Sequence, residues 1–541
     1  MHPVTVQAQQ ILISGAARTY KDYDTIMTSI AEKHIKHGQI DVFTHNFCIT
    51  KSSPRMKELV NTFVRRFIGY TWEQTGGIYN KVPNKVFASA AANRSEFRFH
   101  IHALEEFKEF LLRFYFTDKL VDWIIHPEPD AVKVDIKVKD GWVARENQLA
   151  IIDHLANSPC RIRIAELQPG AGKSLCSMLA MKKLGLRICV IVAAKYLEKW
   201  VDDFTKTYDC EPEEIILVRG SKHLRALLEV SQEPDFTATA IIISSTTWRN
   251  WMVDYEESGD GILELGYATT PPKFFEWIGC GVRLVDECHQ DFHFYFKLDC
   301  YSNVKYSISL SATLISNDPF IKKMHTVMFP LNTRLPKDAI HKYIDAWAVH
   351  YTFADINRIK TSHRGRSDYS HTALEESLLL STPMTLNYLR LLDSVLQFGY
   401  FKDKKPGDRA IVFAATVEMC TRMTTWLQVK YPDLDVRRYV GEDPYENVLD
   451  ADIRVTTIGS GGTAIDIANL SCAILTVAVD SPAAVAQVSG RLRDRKGAGH
   501  TRFLYYNCTQ IEQHQKYHAR KKESLKERVA HLNDLQSGHV V

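Results

Sequence analysis

A chain of 541 residues, 45% of them apolar and 24% charged, can fill several packed cores and is too long for one ordinary domain. Its formal net charge of +3 excludes a global basic field, so any nucleic-acid surface has to be local. Eleven cysteines with no C-x-x-C pair exclude a disulfide framework, and no apolar run exceeds strand length; with no signal-peptide pattern at the start, the expectation is a soluble, cytoplasmic protein with no membrane partner.

Residues 1–130 read as an α+β accessory domain. Helical spacing covers 23–37, 56–70 and 104–116, with short strands at 85–88 and 96–101. Phe97, Phe99, Phe107, Phe110, Phe114, Tyr115 and Phe116 are expected in its core, while Arg55, Lys57, Arg65, Arg66, Lys81 and Lys85 leave room for a phosphate-binding, DNA-contacting face. A strand is expected over 131–138. Pro129-Asp130 with Asp135-Ile-Lys137 imitates a nuclease centre, but the four residues between the two acids hardly let the chain turn back onto one metal.

Residues 131–345 form a first α/β domain, with apolar strands at 162–165, 187–193, 215–218, 240–244, 282–285 and 306–310 alternating with helices. The first strand runs into Glu166-Leu-Gln-Pro-Gly-Ala-Gly-Lys-Ser174, a glycine-rich turn opening onto a helix. Backbone N–H groups from Gln168, Gly170, Ala171 and Gly172, in a turn that includes Pro169, surround an anion there, Lys173 adds a point charge, and Ser174 offers a hydroxyl to Mg²⁺. The loop carries Leu167 where its full pattern has Gly or Ala. Another buried strand feeds Asp286-Glu-Cys-His289, where Asp286 suits a magnesium shell and Glu287 suits polarisation of the attacking water. Cys288, His289, His293 and Cys300 lack the spacing of a zinc set. Ser309-Leu-Ser-Ala-Thr-Leu314 ends the next strand.

A linker with Arg358, Lys360, Arg364 and Arg366 leads into a second α/β domain, together spanning 346–510, with strands at 410–413, 436–439, 453–457, 472–477 and 501–505. Residues 511–541 read as a charged helical tail.

In this order the motifs resemble the superfamily 2 helicases and translocases, over roughly residues 140–510. The fold this implies is two tandem RecA-like parallel-sheet domains. Within the superfamily the Asp-Glu-Cys-His box resembles the phage UvsW-type DNA helicases, with RecG- and XPB-like motors as wider relatives. The resemblance implies adenine reading by Arg145 and Gln148, nucleic-acid contacts near Lys195, Ser245, Thr246, Thr416 and Thr457, and coupling through Ser311 and Thr313. Gly462 and Asp466 belong to the motif V-like stretch. Gln487 and Arg491 join Lys173, Asp286 and Glu287 as catalytic candidates, Arg491 as an arginine finger, with Arg493 and Arg495 flanking Asp494, where the family usually has a second arginine. ATP and Mg²⁺ are the implied cofactors. The implied activity is that of a monomeric, nucleic-acid-stimulated ATPase that remodels duplex or branched DNA in phage replication, recombination or repair, alongside other proteins of those processes. An RNA helicase and a non-unwinding translocase subunit are the alternatives.

Overall fold

The computed structural model describes residues 36–541 except 76–77, 91–95, 168–170, 312–313, 315, 317, 337–341, 364–367, 442, 445–446, 448–449, 462–466, 493, 495–498 and 527. The helix expected at 23–37 lies almost wholly outside them. Two compact units emerge. The first holds the described residues up to Glu166, Ser174–Ser311 and Asp318–Leu335, and the second the described residues of 167–173, 312–317 and 336–541.

The first unit begins with the α+β part. β1 (Gly38–Val42) pairs antiparallel with β2 (Asn46–Thr50). β3 (Ile68–Thr75) and β4 (Ile78–Val86) make a separate hairpin. β5 (Ser89–Ala90), β6 (Phe97–His100) and β7 (Val121–Ile125) complete a five-stranded sheet in the order β5-β6-β2-β1-β7. The helix expected over 56–70 is shorter. It starts at Pro54, where Ser53 Oγ accepts from the Met56 N–H (3.2 Å), and stops at Val64. Gly69 and the alternating Tyr70-Thr-Trp72 favour a strand, and pairing with β4 satisfies it. Phe97, Phe99, Phe107, Phe110 and Phe116 are buried as expected, whereas Phe114 is exposed.

No strand forms at 131–138. That segment makes two isolated bridges, Lys133 with Leu186 and Val138 with Tyr208, and the Val132 N–H and carbonyl bond Gly279 and Arg187. It runs past the residues that enter the next sheet, where its alternating lysines stay in water.

That sheet is all parallel: β8 (Ile162–Glu166), β9 (Ile188–Val192), β10 (Ile215–Val218), β11 (Ala240–Ser244), β12 (Val282–Val285) and β13 (Tyr306–Ser311), in the order β10-β11-β9-β12-β13-β8. Helices cover both faces, so β9, β11 and β12 are buried along their whole length.

The helix Phe292–Tyr301 joins the two sheets. Eight of its ten residues are buried, so it has no solvent face, and it packs on β2 and β6 as well as on its own lobe. Phe87 meets Phe292, Phe296 and Phe320 edge-on or tilted. In its last turn Asp299 is wholly buried, ion-paired to Arg283 of β12 and 3.2 Å from His100 Nε2 of β6. Burial alone would raise its carboxyl pKa. The Arg283 guanidinium and the His100 hydrogen bond outweigh that and hold it below the usual carboxylate range. Arg283 also donates to Ser302 Oγ (2.6 Å) and to Ser307 Oγ. Asn46 Nδ2 donates to the Ser302 carbonyl (2.7 Å), and His45 Nε2 bonds the Val304 carbonyl (2.8 Å).

The second unit is a seven-stranded parallel sheet: β14 (Ile344–Thr352), β15 (Arg409–Ala414), β16 (Val436–Tyr439), β17 (Ile453–Thr457), β18 (Leu470–Leu475), β19 (Thr501–Cys508) and β20 (His531–Val540), in the order β16-β17-β15-β18-β19-β14-β20. Separate apolar cores lie on its two faces. The tail departs from its expected all-helical form. It is helical over Glu512–Leu525, and β20 then pairs in parallel with β14 as an edge strand. A polar edge strand needs no apolar run, so its sequence carries no strand pattern.

Two tests follow from these buried charges. Asp299→Ala leaves Arg283 charged and unpaired in the interior, so the first unit should lose about 3–5 kcal/mol of stability in chemical denaturation. Lys521, buried on the helix Glu512–Leu525, has its pKa pushed down from 10.5 to about 7 by burial, with Asp480 partly opposing. The unfolded chain protonates it below 10.5 and the folded chain only below about 7, so it lowers stability progressively as pH falls between those values. Lys521→Met should therefore raise the melting temperature, with a gain that grows from pH 10 to pH 7 and then levels.

Candidate active site at the strand ends of the first parallel sheet

The carboxyl ends of β8, β13, β12, β9 and β11 lie side by side, which is where ligands bind in open parallel sheets. β8 ends at Glu166. Of the loop that follows, Gln168, Pro169 and Gly170 lie outside the described residues. Gly172 has φ 84°, a left-handed conformation that suits glycine, and the helix Lys173–Leu184 starts directly after it with Lys173 as its first residue. Ser174 Oγ accepts from Lys199 Nζ at 3.3 Å.

One strand separates the loop's strand from β12, whose end carries the carboxylate pair. Asp286 is buried, and both of its oxygens are engaged: Oδ2 accepts from Trp200 Nε1 (3.2 Å) and Oδ1 from the Glu287 N–H (2.8 Å). Those two bonds fix the plane of the carboxylate. Glu287 sits at φ 52°, a left-handed position that costs a non-glycine residue of order 1 kcal/mol or more and that concentrates at functional sites. His289 Nδ1 lies 3.3 Å from Glu287 Oε2 and 3.1 Å from Ser311 Oγ, so the imidazole joins the end of β12 to the end of the intervening β13. Thr313 lies outside the described residues.

Cys288 is fully buried between these groups. Burial, then the negative charges of Glu287, Glu166 and Asp286, push its thiol pKa far up. His293 Nε2 bonds the Val86 carbonyl (2.8 Å) and Cys300 Sγ the Phe296 carbonyl (3.7 Å), so the four Cys and His residues have separate partners and form no metal cluster among the described residues.

Gln148 is buried on the helix Glu146–Asn157, and its side-chain oxygen accepts from the Arg145 N–H (3.0 Å), while Arg145 itself is exposed. Lys195 follows β9 and Thr246 follows the adjacent β11; both are exposed at the same sheet edge, and Ser245 is buried.

In the second unit Arg491 is buried just after the helix Pro482–Ser489. The side chain of Gln487 lies outside the described residues, as do Gly462, Asp466, Arg493 and Arg495. So do Arg364 and Arg366 of the linker. Thr416 and Thr457 end or follow strands with their hydroxyls in use. Thr416 Oγ1 donates to Glu375 Oε2 (2.8 Å) and accepts from the Met419 N–H (3.1 Å), and Thr457 Oγ1 bonds Ser460 Oγ (3.0 Å). Glu375 also accepts from the Ala415 and Thr416 N–H groups, and burial nevertheless pushes its carboxyl pKa up to about 7.

No family model matches this chain, and no curated protein does. Among solved structures, UvsW of phage T4 aligns with 92% of this chain and 99% of its own at 14% identity and a TM-score of 0.34. S. cerevisiae Dbp5, bound to RNA and ADP-BeF₃, aligns with 72% of this chain and 90% of its own at 13% identity and a TM-score of 0.42. Similarity this distant leaves the functional reading to the residues of the site. Two of those, Trp200 and Lys199, carried no signal of their own in the sequence, because their partners Asp286 and Ser174 lie 86 and 25 residues away.

Trp200→Phe keeps the buried ring and removes only the Nε1 donor to Asp286. Leaving that buried carboxylate oxygen without its donor should cost about 1–3 kcal/mol of stability, read as a lower midpoint in chemical denaturation.

Proposed function

We propose that this protein is an ATP-driven nucleic-acid motor of the superfamily 2 kind. The observation that carries the reading is the arrangement of Asp286, Glu287, His289 and Ser311 on adjacent strand ends, one strand away from the strand that feeds the Lys173–Ser174 loop. In this reading Glu287, held by His289, would orient and deprotonate a water, and the link to Ser311 would pass the state of that carboxylate to the segment leaving β13. The donors suit Mg²⁺: a hydroxyl at Ser174 and a carboxylate at Asp286, all hard oxygens. When bound, the ion would neutralise charge on the β- and γ-phosphates. Lys173 would hold the same phosphates, and Arg491 is the second lobe's candidate finger.

The proposed track is duplex or branched DNA. It rests on the UvsW-type resemblance of the motif set, with Lys195 and Thr246 exposed to meet backbone phosphates without reading bases.

The test is an ATPase and strand-displacement panel with duplex DNA, branched DNA and RNA. Wild type should hydrolyse ATP faster with branched or duplex DNA than alone. Lys173→Ala and Glu287→Gln should each lower turnover by at least about a hundredfold, with Glu287→Gln still binding nucleotide. Stimulation by RNA alone would move the reading to an RNA helicase, and stimulation by DNA without strand displacement would leave a translocase.

A further inference from the structure

Three neighbouring strands of the second unit, β19, β14 and β20, bring one potential metal ligand each to the same end of the sheet. His500 immediately precedes β19. Asp345 is the second residue of β14 and pairs in register with His531, the first of β20, so those two side chains share a face. His500 Nδ1 lies 2.9 Å and His531 Nδ1 2.8 Å from the same oxygen, Asp345 Oδ1, and the two rings are 5.3 Å apart between centroids. All three ligand atoms lie within 4.8 Å of one another.

We propose that Asp345, His500 and His531 form a divalent transition-metal site, of the zinc class, that clamps β20 and the start of β19 to β14. Two imidazoles and one carboxylate are the donor set that zinc takes, with water completing a tetrahedron on the open side. Without an ion, one oxygen accepts from both imidazoles only when each carries its proton on Nδ1. A cation takes both Nδ1 lone pairs and the oxygen at once, with the ligand atoms spreading to about 3.3 Å as tetrahedral geometry at 2.0–2.1 Å requires. The side chains are reachable from solvent, with His531 63% and His500 38% exposed. Among the described residues no lysine or arginine forms an ion pair with Asp345: Arg502, its register partner on β19, turns to Asp403 and the Phe398 carbonyl.

A second group of the same composition, His350, His518 and Asp534, differs on each of these points. Lys522 Nζ lies 2.6 Å from Asp534 Oδ2, Asn507 Nδ2 meets His350 Nδ1 (3.0 Å), and Tyr505 OH meets His518 Nδ1 (3.0 Å). An ammonium already neutralises that carboxylate, and both ring nitrogens have partners. Nor do the cysteines compete strongly: nine of the eleven are buried, leaving Cys160 and Cys210 partly accessible and far apart in sequence.

The site needs nothing from the motor reading. It would hold the strand that follows Arg491 by ten residues, and it stands or falls with metal binding alone.

The experiment uses untagged full-length chain stripped with chelator, titrated with Zn²⁺ against a chromophoric competitor, and with Co²⁺ followed by its visible d–d absorption. The expected result is about one equivalent bound, with imidazole-type tetrahedral Co²⁺ bands and a Zn²⁺-dependent rise in melting temperature. His531→Ala and Asp345→Asn should each weaken binding by more than about tenfold and abolish the thermal rise, whereas His518→Ala should not. Circular dichroism checks the fold of each variant, and His531, exposed on an edge strand, is the one least able to disturb packing. Absence of stoichiometric binding by wild type, equal binding by His531→Ala, or loss of binding in His518→Ala instead would each overturn the proposal.

Discussion

The pair between Arg283 and Asp299 organises the first unit. Arg283 lies on β12, three residues before the Asp286–Glu287 pair, and Asp299 lies on the helix that leaves the same loop. A buried ion pair is a poor source of net stability, because desolvation opposes the Coulomb attraction, but it is exacting about geometry. Here the charges are met by His100 from the accessory sheet, by Ser302 at the end of the helix and by Ser307 of the neighbouring β13. The strand that presents the carboxylates is thereby fixed at its base to the α+β part. That part is accordingly a structural half of the first unit, beyond any role in touching nucleic acid.

At the other end of β12 the chemistry depends on strand order. With β13 inserted between β8 and β12, a single imidazole reaches from Glu287 to Ser311, and with β9 on the other side an indole reaches Asp286. Asp286 is thus held from the helix that follows β9, and Glu287 is tied through His289 to the end of β13. The left-handed backbone at Glu287 belongs to the same design: the turn aims one carboxylate toward His289 while its own N–H closes on the other.

The parallel strands were legible because burial on both faces leaves no room for polar alternation. Ile188-Cys-Val-Ile-Val192 and Ala240-Ile-Ile-Ile-Ser244 can hardly be anything else. The glycine turn before the Lys173 helix and the acidic turn after β12 were legible because glycine and charge interrupt an apolar run there. Three things were not. β20 reads His-Leu-Asn-Asp-Leu-Gln-Ser-Gly-His-Val, half solvated, and becomes a strand only by pairing with β14. The hairpin β3–β4 hides behind apolar spacing that also suits a helix. Trp200, Lys199 and Glu375 act on partners distant in sequence, 86 residues away in the case of Trp200 and Asp286, and no periodicity records that.

β14 has an order-of-events consequence. It is the first strand of its sheet along the chain, yet its two neighbours are the last, with Asp345 meeting His500 and His531 across separations of 155 and 186 residues. Loop-closure entropy has to be overcome before either pairing stabilises it, so the second lobe is a high-contact-order fold and should form slowly. Until β19 and β20 arrive, β14 presents Ile344, Ala346, Ala348 and Val349 beside unpaired backbone on both sides. A nascent or thermally opened second lobe is therefore most adhesive along this one strand, and aggregation of the protein should begin there.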